Sequence, residues 1–358
     1  MDSFTQFALG ATVGELAVGR KLGNRALLWG GALGTLPDLD VLVNPFVSEV
    51  QELAFHRGLS HSLFFCIAAA PLLGSLLAHL HRSDGVTRRE GVLTVFLALS
   101  THVALDLCTT YPTQLLQPFS DATFALSSIF IIDPLYTLPL VAGLVAALRR
   151  ERTDRRRRRA VLRGLGVSTL YLLLTLVNKQ HVSGVFARAL AAQGHTYERL
   201  HTAPTPFNNL LWVGLADDGE GYRVGLYSLL DEAPPRAFLR LEKNQALLAP
   251  FLDDPPVRRL IWFSDGYYAV SRRGDSLFFS DLRFARDDLW LTGEGASVFR
   301  FLLERAPEDS TRIAGFRRHP PALRPDAALL RCFGRRLLGA VIPPGGCAAA
   351  RSDAAGSG

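Results

Sequence analysis

Apolar residues in the first half of the chain form long blocks, whereas those in the second half alternate with polar residues. Six apolar blocks can be distinguished: 4–19, 26–43, 63–80, 92–110, 129–148 and 160–177. A helix that crosses the hydrocarbon core of a bilayer needs about 20 apolar residues. By that measure two blocks are marginal as membrane spans: 26–43, and 4–19, which also carries Gln6 and Glu15. The pattern predicts a polytopic helical membrane domain of about six helices.

Lysine and arginine residues are concentrated in three loops between these blocks, 19–25, 81–91 and 149–159. Cytoplasmic loops of membrane proteins carry an excess of basic residues, so all three are expected on the cytoplasmic side. With six spans, the N-terminus, the loops 44–62 and 111–128, and everything after the last span lie outside. The chain starts with "MDSFTQFALG", which lacks a basic region, so no cleavable signal peptide is expected.

Beyond residue 178 the pattern is that of a water-soluble domain. "NLLWVGLADDGEGYRVGLYSLLD" predicts two strands joined by a Gly/Asp turn, and "VRRLIWFSDGYYAVSRRGDSLFFSDLRF" predicts more of the same. "GASVFRFLLERA" is predicted to be a short helix. The expected fold class is therefore mainly α. It comprises a helical membrane domain at 1–180, a small extracytoplasmic α+β domain at 181–340 and a disordered tail at 341–358.

The net charge of the chain is +6, which in other proteins can indicate nucleic-acid binding. Much of the excess lies in "RRERTDRRRRR", between two apolar blocks, where anchoring to the cytoplasmic face of the membrane explains it. The expected partner is the lipid bilayer and not a nucleic acid, and the oligomeric state is left open. Cys332 and Cys347 can form a disulfide if the C-terminal region faces an oxidising compartment.

Histidine and aspartate residues gather at the predicted outer ends of separate spans. His102 and Asp106 are four residues apart, so their side chains lie on one face of a helix. "PDLD" and "HRGLSHS" add two aspartates and two histidines on the same side. Ionisable groups at membrane depth are unfavourable and usually functional, and this donor set suits zinc or a similar divalent metal. The candidate ligands are Asp38, Asp40, His56, His61, His102 and Asp106.

Each motif also has a structural interpretation. A single HxxxD pair is more often a surface pair than a metal site, and "PDLD" alone fits a loop whose aspartate caps a helix. Asp133, in "FIIDPLYTLPL", is a candidate ligand or general base and equally a candidate helix cap. Arg57 can bind a substrate phosphate or pair with lipid headgroups.

Several motifs together resemble the YdjM-like family of bacterial inner-membrane metal-dependent hydrolases, over about residues 1–180. They are "MDSFTQ", "GTLPDLD", "FHRGLSHS", "THVALD" and "IFIIDPLYTLPL". In that family the opening motif commonly ends in histidine. Here it ends in Gln6, so no ligand role is transferred to this position.

The family is in turn distantly similar to zinc-dependent phospholipase C and to single-strand-specific zinc nucleases. This likeness implies a phospholipase C-like helical domain in which His102 and Asp106 bind metal. Asp38 or Asp40 and His56 or His61 would complete the cluster. It also implies hydrolysis of a phosphate ester by metal-activated water.

The main hypothesis is a multi-pass inner-membrane phosphoesterase that acts on a membrane-borne or lipid-linked substrate at its outer face. Asp40 and Asp133 are its candidate catalytic carboxylates. The alternative is a non-catalytic membrane protein in which a metal joins short helices and the outer domain binds a partner. Transport is less favoured, because the polar groups cluster at one face and do not follow a path through the membrane.

Overall fold

The computed structural model describes residues 1–309, 311–322 and 327–347. The chain divides into two compact units. The first consists of Met1–Phe46 and Ala54–Leu176, and the second of Val47–Leu53 and the chain from Val177 onward. The long apolar blocks lie in the first unit and the strands in the second.

The first unit is built from helices and short 3₁₀ segments. In chain order the helices up to residue 192 are α1 (Ser3–Leu22), α2 (Asn24–Thr35), α3 (Glu49–Phe55), α4 (Leu63–Leu80), α5 (Arg88–Leu107), α6 (Pro134–Leu148) and α7 (Arg155–Ala192), and two of them, α3 and α7, have residues in both units. The 3₁₀ segments are Pro37–Phe46, Leu59–His61 and Arg82–Asp84. α7 continues from the first unit into the second.

The prediction of about six membrane spans is not confirmed. Among the described residues three helices, α4, α5 and α7, are long and apolar enough to cross a membrane. A fourth span results if α2 and the segment Pro37–Phe46, which are bent by 50°, are counted as one. α6 is apolar but has only 15 residues. α1 has 20 residues, but its polar and basic side chains lower its hydropathy.

α1 and α2 form a hairpin in which the two backbones touch. Gly10 and Gly14 of α1 face Gly30 and Gly34 of α2. A Cβ atom on Gly10 would lie 2.3 Å from the carbonyl oxygen of Gly30, and one on Gly30 would lie 2.2 Å from that of Gly10. Small residues four apart allow membrane helices to approach this closely. The hairpin therefore depends on the absence of side chains at these four positions.

The same kind of contact joins α4 to α5 and α6 to α7. A Cβ atom on Gly91 of α5 would lie 2.2 Å from the carbonyl oxygen of Gly74 in α4. One on Gly164 of α7 would lie 2.4 Å from the carbonyl oxygen of Pro139 in α6. Backbone contact at glycine thus recurs in three helix pairs: α1–α2, α4–α5 and α6–α7.

The three basic loops of the sequence meet at one end of the first unit. Lys21 donates to the Glu90 carboxylate at 2.7 Å, and Arg25 pairs with Asp84 at 2.7 Å. Arg152 donates to the carbonyl oxygen of Lys21 at 2.8 Å. These contacts agree with the prediction that the loops share one side of the membrane.

One member of the arginine run is buried and does not lie at the surface. Arg157 bonds both carboxylate oxygens of Glu15, with distances of 2.7 Å from Nε and 2.6 Å from Nη2. Its Nη1 also donates to the Asn24 side chain at 2.8 Å. The charge of Glu15 is therefore compensated inside the helix bundle. The arginine run at 149–159 thus has a structural role in addition to the predicted anchoring at the membrane surface.

The second unit contains two four-stranded antiparallel sheets. The first, in the order β1-β2-β3-β4, comprises Arg199–Pro204, Leu211–Asp217, Gly221–Ser228 and Leu239–Glu242. The second, in the order β5-β6-β7-β8, comprises Tyr268–Arg273, Ser276–Asp281, Arg300–Arg305 and Ile313–Arg318. The 3₁₀ segment Gln245–Phe251 and the helices α8 (Pro255–Phe263) and α9 (Ala327–Leu337) complete the unit.

The predicted β2–β3 hairpin is confirmed, with Leu211 opposite Ser228 and Asp217 opposite Tyr222. Two local predictions are wrong. "VRRLIWF" belongs to α8, and "GASVFRFLLERA" contains strand β7 where a helix was expected. β7 pairs with a strand on each side, and this pairing outweighs the helical preference of its Leu-Leu-Glu-Arg segment.

The end of the chain contains a disulfide between Cys332 and Cys347. It links α9 to a turn within residues 341–347, the first part of the predicted disordered tail. Cys347 is buried and packs in the apolar core that includes Trp290 and Leu329. The remainder of that predicted tail, 348–358, lies outside the described residues.

Candidate metal centre

Three separate segments bring four metal-binding side chains together in the first unit. Asp38 lies in the bent 3₁₀ segment that follows α2, and His61 lies in the short turn before α4. His102 and Asp106 project from the last turns of α5. One ligand atom from each side chain lies within 4.8 Å of the others. The four residues form a candidate metal centre.

The distances from each histidine to the other histidine and to the two aspartates have the size expected around one cation. His61 Nε2 lies 3.1 Å from His102 Nε2, 3.5 Å from Asp38 Oδ1 and 3.3 Å from Asp106 Oδ2. His102 Nε2 lies 3.5 Å from the same oxygen of Asp38 and 3.5 Å from that of Asp106. Zinc binds such atoms tetrahedrally at about 2.0–2.2 Å, which sets the ligand atoms about 3.3–3.6 Å apart.

One carboxylate oxygen of Asp106 is buried without a hydrogen bond to any described residue. Its Oδ1 accepts from Gln6 Nε2 at 2.9 Å and from the Met1 amino group. Its Oδ2 is buried and, among the described residues, has no hydrogen-bond partner, although the guanidinium Nε of Arg57 lies 3.1 Å away. A buried carboxylate oxygen without a hydrogen bond is unfavourable. A cation at the centre of the four groups would satisfy it.

Hydrogen bonds to the far side of each imidazole turn Nε2 toward the centre. His102 Nδ1 lies 2.6 Å from the carbonyl oxygen of Gly34. A carbonyl oxygen can only accept, so Nδ1 carries the proton and Nε2 presents its lone pair. His61 Nδ1 lies 2.9 Å from Ser60 Oγ and 3.6 Å from Asp40 Oδ2. Both histidines therefore have the outer partners typical of metal ligands.

Asp40 and His56, also predicted as ligands, lie beside the four groups and bond to each other. Asp40 Oδ1 lies 3.0 Å from His56 Nδ1. Asp40 Oδ2 accepts from the backbone N–H of Arg57 at 2.9 Å and from Ser60 Oγ at 3.1 Å. The sequence left open which aspartate and which histidine would bind metal. The structure brings Asp38 and His61 together with His102 and Asp106.

Asp133, predicted as a catalytic carboxylate or a helix cap, makes the contacts of a cap. Its Oδ1 accepts from the backbone N–H groups of Leu135 and Tyr136 at 3.0 and 3.4 Å. Its Oδ2 accepts from the Tyr171 hydroxyl at 2.8 Å. Both oxygens serve the start of α6 and its contact with α7, so these contacts favour the capping interpretation.

Arg57 is buried, with 5% of its surface exposed, and does not point toward lipid headgroups. Its Nη1 donates to Thr109 Oγ1 at 2.9 Å and to the carbonyl oxygen of Tyr111 at 3.1 Å. Its Nε lies beside Asp106. Arg57 thus ties the loop before α4 to the end of α5, and a contact with exposed headgroups is not among its roles.

Gln6 was assigned no ligand role from the sequence, and it is fully buried beside the four ligands. Its Nε2 donates to Asp106 Oδ1 and, at 3.3 Å, to the carbonyl oxygen of His102. The position of Gln6 in the opening motif was the only signal in the sequence. The structure shows that a side chain here supports Asp106 from α1.

The centre is closed on most sides. The side chains of His61, His102 and Asp106 are fully buried, whereas 16% of the Asp38 side chain is exposed. The 3₁₀ segment that carries Asp38 and the end of α3 also expose large apolar residues, which together are called the apolar rim: Leu39, Leu42, Phe46 and Phe55. Access to the centre is therefore from the side of Asp38, next to an apolar surface.

Comparison with known families assigns the first half of the chain to a protein family. A family model described as YdjM inner membrane protein matches residues 1–182. No match was found among curated proteins or among solved structures. The more distant likeness to zinc-dependent phospholipase C and to the zinc nucleases stays a prediction.

Proposed function

The chain belongs to the YdjM inner membrane protein family, and from that premise we propose that it is a membrane-embedded, metal-dependent hydrolase. Asp38, His61, His102 and Asp106 hold a divalent metal, and their nitrogen and oxygen donors suit zinc. The observation that carries the proposal is the set of distances of 3.1–3.5 Å between their ligand atoms.

The proposed reaction is hydrolysis of a phosphate ester. A zinc ion in this position supplies a Lewis acid that activates water and stabilises negative charge on the phosphate. The residues of the chain supply the rest. Asp40 and Ser60 orient the His61 ring, Gln6 holds Asp106, and the exposed edge of Asp38 leaves a side from which substrate reaches the centre. Asp133 is assigned no catalytic step.

A membrane-borne or lipid-linked substrate is supported by the apolar rim. Phe46 is 86% exposed and Leu42 64% exposed, and they lie in the same 3₁₀ segment as Asp38. Exposed apolar side chains of a membrane protein are usually in contact with lipid. The apolar rim would therefore lie among the acyl chains or at the boundary between acyl chains and headgroups. The phosphate of a lipid-linked substrate would lie at the same depth in the membrane as the rim, within reach of the metal centre.

A second candidate function is supported by the number of ligands. Catalytic zinc sites usually have three protein ligands and an open position, whereas structural sites have four. Here four side chains surround the centre. In this alternative the metal joins the bent segment after α2, the turn before α4 and α5, while the second unit binds a partner.

The metal is tested first, on full-length protein purified in detergent. We expect about one divalent metal per chain, and a loss of at least about tenfold in bound metal in His102→Ala. The matched control is His79→Ala, an exposed histidine of α4. Metal-free wild-type protein, or equal metal content in the two variants, would contradict the proposal.

Activity and coordination number separate the two functions. The reconstituted protein is given vesicles that contain lipid phosphomonoesters or phosphodiesters, and release of phosphate or headgroup is measured. The hydrolase predicts turnover that His102→Ala abolishes, and X-ray absorption that shows a water ligand besides the protein ligands. Bound metal with four protein ligands alone, and no turnover of any phosphoester, would support the structural role.

A further inference from the structure

An arginine-lined cavity lies at the basic end of the first unit. It has a volume of about 300 Å³ and is formed by the end of α1, the loop before α7 and the first turns of α7. Five arginines line it: Arg20, Arg152, Arg155, Arg158 and Arg159. The metal centre lies among residues at the opposite ends of α1 and α5, so the cavity is not part of that site.

The cavity is strongly cationic. Its acidic lining residues are Glu15 and Asp154. Glu15 is already neutralised, because Arg157 binds both of its carboxylate oxygens. Asp154 caps the start of α7 by accepting from the backbone N–H of Arg156 at 2.7 Å. The five arginines therefore face one another with little compensating charge, and an anion is the chemistry that suits them.

Two of these arginines are held in place and three are available. Arg152 donates to the carbonyl oxygen of Lys21, and Arg158 to that of Leu16, each at 2.8 Å. The side chains of Arg20, Arg155 and Arg159 make no hydrogen bond or ion pair within the described part of the chain. The guanidinium group binds phosphate through two parallel hydrogen bonds. Three guanidinium groups without a partner among the described residues line one cavity, and together they suit a phosphate group.

The cavity borders an exposed apolar stripe of α7. Arg155, Arg159 and Leu162 are spaced four and three residues apart, so they share one face of that helix. The same face continues to Leu170, which is 69% exposed, and to Leu173, in a helix that is apolar enough to cross the membrane. The cationic cavity thus lies at the end of a stripe that acyl chains would cover.

We propose that this cavity binds the headgroup phosphate of an anionic phospholipid, with the acyl chains along the Leu162–Leu173 stripe of α7. A dispersed basic loop attracts an anionic membrane surface without a defined site. Here two arginines are fixed to backbone carbonyls and three more line the same open cavity, which provides a defined site. The bound lipid ties α1 to α7 at the basic end and is independent of the metal chemistry.

The test compares two triple variants of the full-length protein that lose the same charge. The cavity variant carries Arg20→Gln, Arg155→Gln and Arg159→Gln. The matched control carries Arg149→Gln, Arg156→Gln and Arg163→Gln, three arginines at the same end that do not line the cavity. Each protein is reconstituted in nanodiscs that contain phosphatidylglycerol and phosphatidylcholine, and retained lipid is identified by native mass spectrometry.

Wild type and control are expected to retain phosphatidylglycerol in preference to phosphatidylcholine, and the cavity variant is expected to retain about tenfold less of it. Equal loss in the two variants, or no preference in wild type, would overturn the proposal. Displacement of the lipid by millimolar inorganic phosphate or glycerol phosphate would also overturn it, because the site would then recognise a free phosphate. Helical content measured by circular dichroism confirms that each variant is folded.

Discussion

His61 and His56 belong to one short motif but have different surroundings. His61 is fully buried, and its Nε2 faces His102 and the two aspartates of the centre. His56 is partly exposed and bonds to Asp40 through Nδ1. The spacing of the motif cannot distinguish these histidines, because the turn Leu59–His61 decides which ring points inward.

The first prediction uses this pair. We expect His61→Ala to abolish stable metal binding, because it removes one of four ligands. His56→Ala removes only a partner of Asp40 and is expected to lower metal affinity by about tenfold or less. Competition with a chromophoric chelator measures both affinities. The assignment is contradicted if His56→Ala releases metal and His61→Ala retains it.

The residue scale also shows what could be predicted from the sequence. The sequence predicted that histidines and aspartates form the site and that they lie on one face of the membrane. It also predicted the i, i+4 pair of α5, because helix geometry fixes where such side chains project. The choice between Asp38 and Asp40 could not be predicted, since they lie in a 3₁₀ segment that bends 50° away from α2. The bend sends Asp38 to the two imidazoles and leaves Asp40 with His56 and Ser60.

At the scale of elements, the α1–α2 contact supports the metal centre. Gly34 lies in this contact, and its carbonyl oxygen accepts from His102. Gln6, from the first half of α1, donates to Asp106. A shift of the hairpin therefore moves two groups that orient ligands on α5.

The second prediction tests that coupling. In Gly30→Ala the new Cβ would lie 2.2 Å from the Gly10 carbonyl oxygen, so the helices must separate. We expect a loss of about 1–3 kcal/mol in stability, as for other overpacked sites, together with weaker metal binding. Thermal unfolding in detergent and the chelator assay measure the two effects.

Gly166→Ala is the control for this experiment, because no atom lies within 4 Å of a Cβ at Gly166. It is expected to leave metal binding unchanged and to be neutral or slightly stabilising, since alanine is the better helix former. Equal effects of Gly30→Ala and Gly166→Ala would show that helix propensity, and not close contact, controls the result.

Element boundaries followed the apolar blocks where those blocks were long. α4, α5 and α7 correspond to strongly apolar stretches, and their hydropathy alone predicts them. α1 and α6 fall short of a span for different reasons, polar residues in one and length in the other. Strand β7 was missed because it is stabilised by pairing with β6 and β8, and the local preference of its own residues contains no information about these partners.

At the scale of the whole molecule, two independent features bear on sidedness. The three basic loops meet at one end of the first unit, which the positive-inside rule assigns to the cytoplasm. The second unit contains the Cys332–Cys347 disulfide, and structural disulfides persist in oxidising compartments. Both features are consistent with the predicted extracytoplasmic position of the C-terminal domain.

The third prediction concerns this orientation. Asp275→Cys, in the exposed β5–β6 turn, is expected to react with a membrane-impermeant maleimide in intact spheroplasts. Thr153→Cys, in the exposed loop before α7, is expected to react only after the membrane is permeabilised. The native Cys66 and Cys108 are buried and provide the background signal. The reverse labelling pattern would place the second unit in the cytoplasm.

The buried pair between Glu15 and Arg157 has a consequence for biosynthesis. The two residues are 142 positions apart, and a ribosome that adds 5–20 residues per second needs roughly 7–28 s to cover that distance. Throughout this interval the nascent α1 carries a carboxylate without its cation, which disfavours its entry into the hydrocarbon. α1 is thus expected to enter the membrane late, and it waits at the membrane surface or with the insertion machinery until α7 emerges.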